Sequence, residues 1–349
     1  MDKITLGIPI YNAAPFIERT LLSALNQTYP HIEYLFVDDK GNSMDIVRRV
    51  VESHPRRAAV RIIDQKVNQG IAVARNAIFE QATGNYVFTM DCDDVITPDC
   101  IQTLYDRMSE RPVDFVAASF VRVDETGREY AGCQYNDTLI VGDNYPVARY
   151  RYEQGNPLFV ATWNKLYNRA FLDQFHIRCC PGHYNEDPWF TYQVVLSAHS
   201  CRLLPDVTLR YTYNPHSVSG ISAAHGYSEV IARQFVEVQL LKSDYISRMT
   251  EKTIYRSLLV DIMQMSLYHI YRILVSGQLS ENVKDELASV LIRRFFVLPA
   301  RKGGGRFTVK YACLRSFYAL PVWTKMLFMR LSVWIRLKDR LHRWVYYNN

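Results

Sequence analysis

The feature of this sequence that most constrains its fold is an alternation of strand-like and helix-like segments in residues 4–94. Short apolar runs rich in β-branched residues predict strands near Thr5–Ile10, Glu33–Val37, Val60–Ile63 and Tyr86–Met90. The segments between them have helical spacing of their apolar residues and predict helices near Pro15–Asn26, Met44–Ser53 and Gly70–Gln81. Strands that alternate with helices favour a mostly parallel sheet with right-handed crossovers, which is a doubly wound α/β unit.

Each of these predicted strands ends in polar residues. The polar ends are Tyr11-Asn12, Asp38-Asp39, Asp64 and Asp91-Cys92-Asp93-Asp94. In open parallel sheets, ligands occupy the crevice outside the carboxyl ends of the strands. The pattern therefore predicts that several carboxylates face one cleft.

The rest of the chain changes character twice. Residues 101–225 mix strand-like and helix-like segments, which predicts a second lobe of mixed structure that completes the cleft. Residues 226–300 have helical spacing, and the glycine-rich residues 301–306 predict a flexible link into a basic tail. We therefore expect four segments, with bounds 1–100, 101–225, 226–300 and 301–349.

The cysteines favour a reducing compartment. There are seven of them, an odd number without CxxC spacing, in a chain of 349 residues that is 48% hydrophobic. Such a chain buries its core without disulfides, so we expect reduced thiols and a cytoplasmic location. A strand begins at Ile4 and no apolar run approaches about 18 residues, so we expect neither a signal peptide nor a spanning helix.

The tail, residues 301–349, holds eleven Lys and Arg against the single acid Asp339. On a helix, one face would carry Trp323, Leu327, Leu331, Trp334, Leu341 and Val345, and the opposite face Lys325, Arg336, Arg340 and Arg343. One interpretation is a helix that lies on an anionic membrane surface through residues 320–345, which would make the protein peripheral at the cytoplasmic face of the membrane. The other, which the pattern favours equally, is a helix that packs its apolar face on the protein's own core. Because no nucleic-acid-reading module accompanies the charge, we expect no nucleic-acid partner.

The acidic run at the end of the fourth predicted strand points to a metal. Asp91, Asp93 and Asp94 would repel one another and could not receive a diphosphate unaided. A divalent cation such as Mn²⁺ or Mg²⁺ binds carboxylate oxygens on one side and phosphate oxygens on the other. The alternative is a solvated turn or cap before a helix near Pro98.

Five ordered motifs make the first hundred residues resemble a family 2 glycosyltransferase of the GT-A fold. They are Ile8-Pro9-Ile10-Tyr11-Asn12, Leu25-Asn26-Gln27-Thr28-Tyr29 with Val37-Asp38-Asp39, Asn68-Gln69-Gly70 with Ala74-Arg75-Asn76, Gly84-Asn85-Tyr86-Val87, and Asp91-Cys92-Asp93-Asp94. The resemblance implies an inverting enzyme that uses a nucleotide-diphosphate sugar. It implies that residues 1–100 bind the donor, that residues 101–225 bind the acceptor, and that residues 226–300 are a helical appendage.

The same resemblance assigns the donor site. Pro9, Tyr11 and Asp39 would surround the nucleotide base, and Arg75 would approach the nucleotide, with donors that suit phosphate or a neighbouring carboxylate. Asp91 would contact ribose or the metal shell, and Asp93 would ligate the ion. The remaining donor-site residues in the matched motifs are Asn12, Asn68 and Gly70, and His216 is a further candidate for the metal or the diphosphate.

The second lobe supplies the proton acceptor. Asn185-Glu186-Asp187-Pro188 lies where the family carries an acidic pair before a helix. Asp187 is the candidate base for the acceptor hydroxyl, and Glu186 could orient it, hold the acceptor or exchange roles with it. The alternative is that Asp187-Pro188 only begins a helix.

The predicted function is glycosyl transfer to a hydroxyl of a glycan or lipid-linked glycan in cell-surface polysaccharide synthesis, and two other functions compete with it. An NAD-dependent dehydrogenase is disfavoured because the first strand leads into Pro9-Ile10-Tyr11-Asn12 and lacks GxGxxG. The other function is that of a non-catalytic nucleotide-sugar-binding or assembly subunit. It stays open because the loop after Asp39 is unusual: family members usually follow the paired acids with Gly-Ser, whereas this chain has Lys40-Gly41-Asn42-Ser43.

Overall fold

The computed structural model describes residues 1–124, 126–215, 217–249, 254–294 and 309–334. It divides into two compact units. Unit 1 consists of residues 1–147 and 159–214, and unit 2 consists of residues 148–158 and 215–349. The four segments expected from the sequence stay a prediction.

Unit 1 contains one sheet of ten strands with helices around it. The strands are β1 (Ile4–Ile10), β2 (Ile32–Asp38), β3 (Val60–Asp64), β4 (Tyr86–Thr89), β5 (Val95–Ile96), β6 (Phe115–Val123), β7 (Glu129–Cys133), β8 (Thr138–Val141), β9 (Lys165–Asn168) and β10 (Ser200–Thr212). The helices are α1 (Ile17–Leu25), α2 (Met44–Ser53), α3 (Ile71–Gln81), α4 (Cys100–Glu110), α5 (Pro146–Ala148), α6 (Arg169–Gln174) and α7 (Asp187–Ser197). A 3₁₀ turn lies at Arg57–Ala59. α5 ends at Ala148, where unit 2 begins, and a π-helical turn at Arg149–Glu153 follows in unit 2.

The strand order explains where the sheet stops being parallel. The main path runs β3-β2-β1-β4-β9-β6-β10-β5, with β7 beside β6 and β8 beside β10. The first four strands are parallel, as the sequence predicts. β9 runs antiparallel to both β4 and β6, which begins the mixed half. The α/β prediction of a parallel half and a mixed half is therefore confirmed.

The two faces of β1 pack on different helices. Ile4, Leu6, Ile8 and Ile10 lie in one apolar core with residues of α1 and α2. On the other face, a Cβ at Gly7 would lie 2.3 Å from Cγ2 of Ile78 in α3. Helices on both faces of the parallel strands make this half of the sheet doubly wound, and the Ile78 side chain of α3 packs directly on the β1 backbone at Gly7.

Unit 2 is helical in its described part. Its helices are α8 (Val218–His225), α9 (Glu229–Arg248), α10 (Tyr255–Val275), α11 (Glu281–Arg294), α12 (Val309–Ala319) and α13 (Val322–Trp334). One apolar cluster joins α9, α10 and α11 and takes in Met329 of α13. Within the described residues, α10 is the one helix long and apolar enough to cross a membrane, but 67% of its most apolar 18-residue stretch is buried, as in a core helix.

Candidate functional site

Three carboxylates meet just beyond β4. Carboxylate oxygens of Asp91, Asp93 and Asp94 all lie within 4.8 Å of one another. Asp93 Oδ2 accepts a hydrogen bond of 2.9 Å from the Asn214 side chain, and Asp94 Oδ1 accepts one of 2.8 Å from the Thr212 N–H. The end of β10 and the residues that follow it therefore hold two of the three acids in place.

The donor set of this acidic cluster fits a hard divalent cation. All three residues offer oxygen ligands, which Mg²⁺ and Mn²⁺ prefer. The second oxygen of Asp94, Oδ2, is buried and has no hydrogen-bond partner among the described residues. A buried acceptor without a donor is costly, and a cation would remove that cost.

Arg75 lies at the centre of the site. This residue of α3 has a side chain that is 1% exposed, and its guanidinium pairs with Asp91 through Nη2 and with Glu186 and Asp187 through Nη1. The sequence allowed either phosphate or a neighbouring carboxylate as its partner, and the structure shows carboxylates. Arg75 thus joins the acidic cluster after β4 to the start of α7.

The charges in this region do not balance. Two guanidinium groups, those of Arg75 and Arg19, lie among five carboxylates, those of Asp91, Asp93, Asp94, Glu186 and Asp187, for a formal charge of −3 if all are ionised. Burial raises the pKa of Asp91 to about 6 and the pKa of Glu186 to about 8, although Arg75 opposes both shifts. Burial, with the charges of Asp93 and Asp91 added, holds the pKa of Asp94 well above its usual range. The site is therefore built for additional positive charge.

The two acids at the start of α7 differ in exposure. The Glu186 side chain is 4% exposed and is directed at Arg75, whereas the Asp187 side chain is 27% exposed. Asp187 Oδ1 accepts hydrogen bonds from the Thr162 N–H at 2.7 Å and from Arg75 at 3.2 Å. No described residue hydrogen-bonds to Asp187 Oδ2, so this oxygen is able to accept a proton from a ligand.

Asp39 lies at the N-terminus of α3 and accepts backbone N–H groups there. Its Oδ1 accepts the Gln69 N–H at 2.7 Å, and its Oδ2 accepts the Gly70 N–H at 2.9 Å and the Asn68 side-chain amide at 3.1 Å. Burial raises the pKa of Asp39, and the N–H groups of Gln69 and Gly70 oppose the shift. Three donors leave one of the roughly four lone-pair sites of the carboxylate for a nucleotide base.

The loop that departs from the family pattern is closed by local contacts. Lys40 has φ of +62°, its N–H donates to Asp38 Oδ1 at 2.8 Å, and its ammonium pairs with Asp64. A Cβ at Gly41 would lie 2.3 Å from the Asn12 nitrogen, so the loop packs on the residues after β1. Tyr11 is half exposed there, which leaves its ring accessible to a ligand.

Replacing Asp39 with asparagine is expected to lower the free energy of unfolding by about 1–3 kcal/mol. An amide offers one acceptor oxygen in place of two, so at least one of the N–H groups at the start of α3 loses its partner. Urea denaturation measures the change. The control is Asp38→Asn, because among the described residues the Asp38 side chain contacts only Lys40 and asparagine can still accept that N–H. An equal loss in both variants would contradict the special role of Asp39.

The predicted site residues fall into two groups of contacts. Asp91, Arg75, Glu186 and Asp187 form one connected set, and Asp39, Asn68 and Gly70 form the other at the start of the same helix. Pro9 is in β1, and Asn12 accepts the Asn42 N–H at 3.3 Å. His216 lies outside the described residues, so its metal or diphosphate contact stays a prediction.

Several residues that shape the site had no sequence signal of their own. The Thr162 N–H holds Asp187, and on α1 the Arg19 guanidinium donates to the Asp93 carbonyl at 3.2 Å while the Thr20 hydroxyl donates to the Cys92 carbonyl at 3.1 Å. Backbone donors carry no residue-type signature. Asn214, however, lies two residues before His216, which the sequence singles out as a candidate for the metal or the diphosphate.

Comparison with known proteins gives concordant matches. The family model for glycosyl transferase family 2 matches residues 5–175. Glycosyltransferase GlyA of Streptococcus pneumoniae serotype 4 is 27% identical over 63% of this chain, and chondroitin synthase of Escherichia coli is 36% identical over 30% of it. These matches span 32% and 15% of the two relatives, so both relatives extend well beyond the shared part.

Among solved structures, residues 1–349 of S. aureus TarS in complex with UDP-GlcNAc superpose with a TM-score of 0.55. The match covers 97% of this chain and 92% of that one, at 18% sequence identity. At this identity the likeness establishes the fold.

Proposed function

Because the chain belongs to glycosyl transferase family 2 and has the GT-A fold, we propose that it is an enzyme that transfers a glycosyl group from a nucleotide-diphosphate sugar to a hydroxyl. The observation that carries this proposal is the set of contacts around Arg75. That guanidinium links the acidic cluster after β4 with the acid pair at the start of α7. One group is suited to hold a leaving diphosphate, and the other is suited to accept a proton.

The donor would bind across the ends of β1, β2 and β4. Tyr11 offers an accessible ring beside Asp39, which keeps one acceptor position for a base N–H. The complex of TarS with UDP-GlcNAc supports a nucleotide sugar as the donor. This placement orients the diphosphate towards Asp91 and Asp93.

A divalent cation, Mn²⁺ or Mg²⁺, would be held by Asp93 together with Asp91 or Asp94. When bound, it would neutralise charge that develops on the diphosphate as the glycosidic bond breaks. Asn214 would orient Asp93, and Arg75 would keep Asp91 in place, since each already contacts that carboxylate. These contacts leave the carboxylates little freedom before the donor arrives.

Asp187 would act as the general base in an inverting displacement. The Thr162 N–H and Arg75 fix Oδ1, and Oδ2 would accept the proton of the acceptor hydroxyl while its oxygen attacks the anomeric carbon. Glu186 would position Arg75, because its buried carboxylate pairs with that guanidinium. The diphosphate leaves from the opposite face, so the anomeric configuration inverts.

The acceptor is proposed to be a glycan or a lipid-linked glycan in polysaccharide synthesis. The similarity to chondroitin synthase supports this assignment. A cytoplasmic location is proposed with it. The seven cysteines are odd in number and lack CxxC spacing, which suits a reducing compartment.

The metal role is tested by activity and by donor binding. Asp93→Asn, or EDTA added to the wild-type enzyme, is expected to lower release of nucleoside diphosphate by about two to three orders of magnitude, because uncompensated carboxylates repel the leaving group. Thermal stabilisation by a panel of nucleotide sugars, with and without Mn²⁺, measures donor binding separately.

The matched control is Asp99→Asn, an exposed acid before α4 whose side chain makes no capping hydrogen bond. Activity that survives both EDTA and Asp93→Asn would remove the metal from the proposal. Metal-dependent stabilisation by a nucleotide sugar without any diphosphate release, across a mixture of acceptors, would instead favour the non-catalytic binding or assembly subunit.

A further inference from the structure

The described tail helix, α13, is apolar on two sides. Its inner side packs in unit 2, where Met329 is buried in the apolar cluster with α11 and the partly buried Val322, Met326 and Val333 lie against that cluster. Its outer side carries Trp323, Leu327, Phe328, Leu331 and Trp334, which are between 49% and 80% exposed. A helix that is apolar all round is normally buried on all sides, and this one is buried on one.

The position of Lys325 fixes the orientation of α13. The sequence placed Lys325 opposite the apolar face, with the basic residues that face solvent. It does lie opposite, but it is 1% exposed, and its ammonium donates to the carbonyls of Tyr318 at 3.0 Å and Ile292 at 3.4 Å. Arg330 pairs with Asp285 at 2.7 Å and Glu281 at 3.3 Å on α11. Buried and charged contacts therefore hold α13 with its tryptophans outward.

α13 packs on the core of unit 2 through its inner side, but not through the apolar face that the sequence predicts. Trp323, Leu327 and Leu331 of that face are exposed. Five large apolar side chains on one face form a patch of the kind that marks an interaction surface. We call these five residues the outer α13 face.

We propose that the outer α13 face binds an anionic lipid bilayer, with its apolar side chains inserted at the headgroup boundary. Tryptophan at both ends of the face suits that interface, where an aromatic ring is partly apolar and partly wet. Directly after Trp334 the sequence continues with Arg336, Lys338, Arg340 and Arg343 against the single acid Asp339. Such a basic segment is attracted to anionic lipid.

Charge also argues against a second copy of the chain as the occupant. Residues 301–349 carry eleven basic residues and one acid, so two tails brought face to face would repel each other. An anionic surface accepts both the apolar face and the basic segment. This inference does not depend on the proposed glycosyl transfer.

The test is flotation of the full chain with vesicles of phosphatidylcholine that contain phosphatidylglycerol. The triple variant Trp323→Ser, Leu327→Ser, Leu331→Ser is expected to have a partition coefficient between vesicles and solution that is about tenfold lower than that of the wild type, or lower still. The matched control changes three exposed aliphatic side chains elsewhere, Val141→Ser, Ile221→Ser and Val230→Ser, and is expected to float like the wild type. Because all six side chains are exposed, the melting temperature should change little in either variant.

A second arm separates charge from apolar insertion. Replacing Arg336, Lys338, Arg340 and Arg343 with glutamine in the full chain is expected to remove the preference for anionic over neutral vesicles. Wild-type flotation by the outer-face triple variant would overturn the proposal, as would equal binding of the wild type to vesicles of phosphatidylcholine alone. A wild-type dimer that the triple variant converts to a monomer, with flotation unchanged, would assign the face to a second copy instead.

Discussion

Replacing Asp187 with asparagine is expected to lower kcat by about 10³-fold and to leave the affinity for the donor nearly unchanged. The amide can still accept the Thr162 N–H through its oxygen, so the start of α7 keeps its geometry. It cannot take a proton at the position of Oδ2, which is the oxygen without a partner among the described residues. Release of nucleoside diphosphate in the presence of acceptor measures kcat, and calorimetric titration with the donor measures affinity.

Two comparisons make the Asp187 result specific. Asp173→Asn removes the charge of an exposed acid that pairs with Arg178 and Arg169, and it is expected to retain full activity. Glu186→Gln should lower the melting temperature, because its partner Arg75 is buried. If Glu186→Gln abolishes transfer and Asp187→Asn does not, the two acids have the opposite roles.

Replacing Arg75 with methionine is expected to reduce the free energy of unfolding by about 3–5 kcal/mol in the absence of metal. Methionine fills much of the volume but leaves Asp91, Glu186 and Asp187 without their shared counter-ion. Arg75→Lys restores the charge without the fork of donors and should recover part of the loss. The free energy of unfolding of the wild type, Arg75→Met and Arg75→Lys is measured by urea denaturation in EDTA, with circular dichroism as the signal.

The deficit of Arg75→Met should grow with pH. A carboxyl group whose folded pKa is raised adds stability that is fully present below its unfolded pKa and is lost as pH rises through the folded pKa. The pKa of Asp91 is 3.8 in the unfolded chain and about 6 in the folded protein. Removing Arg75 raises the folded pKa further, because Arg75 opposes the shift. The variant should therefore be closer to the wild type at pH 5 than at pH 8. A deficit that is constant, or larger at pH 5, would show that lost packing and not charge causes the destabilisation.

The parallel half of the sheet could be predicted from the sequence because its signals are local. The runs at Ile4–Ile10 and Ile32–Asp38 are apolar and buried, and each ends in the polar residues that mark the cleft. The mixed half could not be predicted in the same detail. β5 has two residues, and β9 joins the sheet between β4 and β6 through partners far away in the chain. Long-range pairing of short strands leaves no periodic pattern to detect.

The site shows the same division. Asp91, Asp93 and Asp187 could be named from motifs, since carboxylates at strand ends and helix starts have a recognisable chemistry. That Glu186 is buried behind Arg75 while Asp187 keeps an open oxygen depends on how α7 meets α3, which is tertiary information. The tail is a further case. Trp323 and Leu331 share one face of α13, as the helical pattern predicts, but the burial of Lys325 follows from carbonyl groups of α11 and α12 that no helical pattern reveals.

The close approach of Gly7 to Ile78 restricts how this protein and its relatives can diverge. Because a methyl group at position 7 would lie 2.3 Å from the Ile78 side chain, a larger residue at position 7 requires a smaller side chain at position 78 or a shift of α3. Ile78 lies three residues after Arg75 on α3, so such a shift would move the arginine relative to its carboxylates. A covarying pair at these positions in aligned sequences would record this constraint on the site.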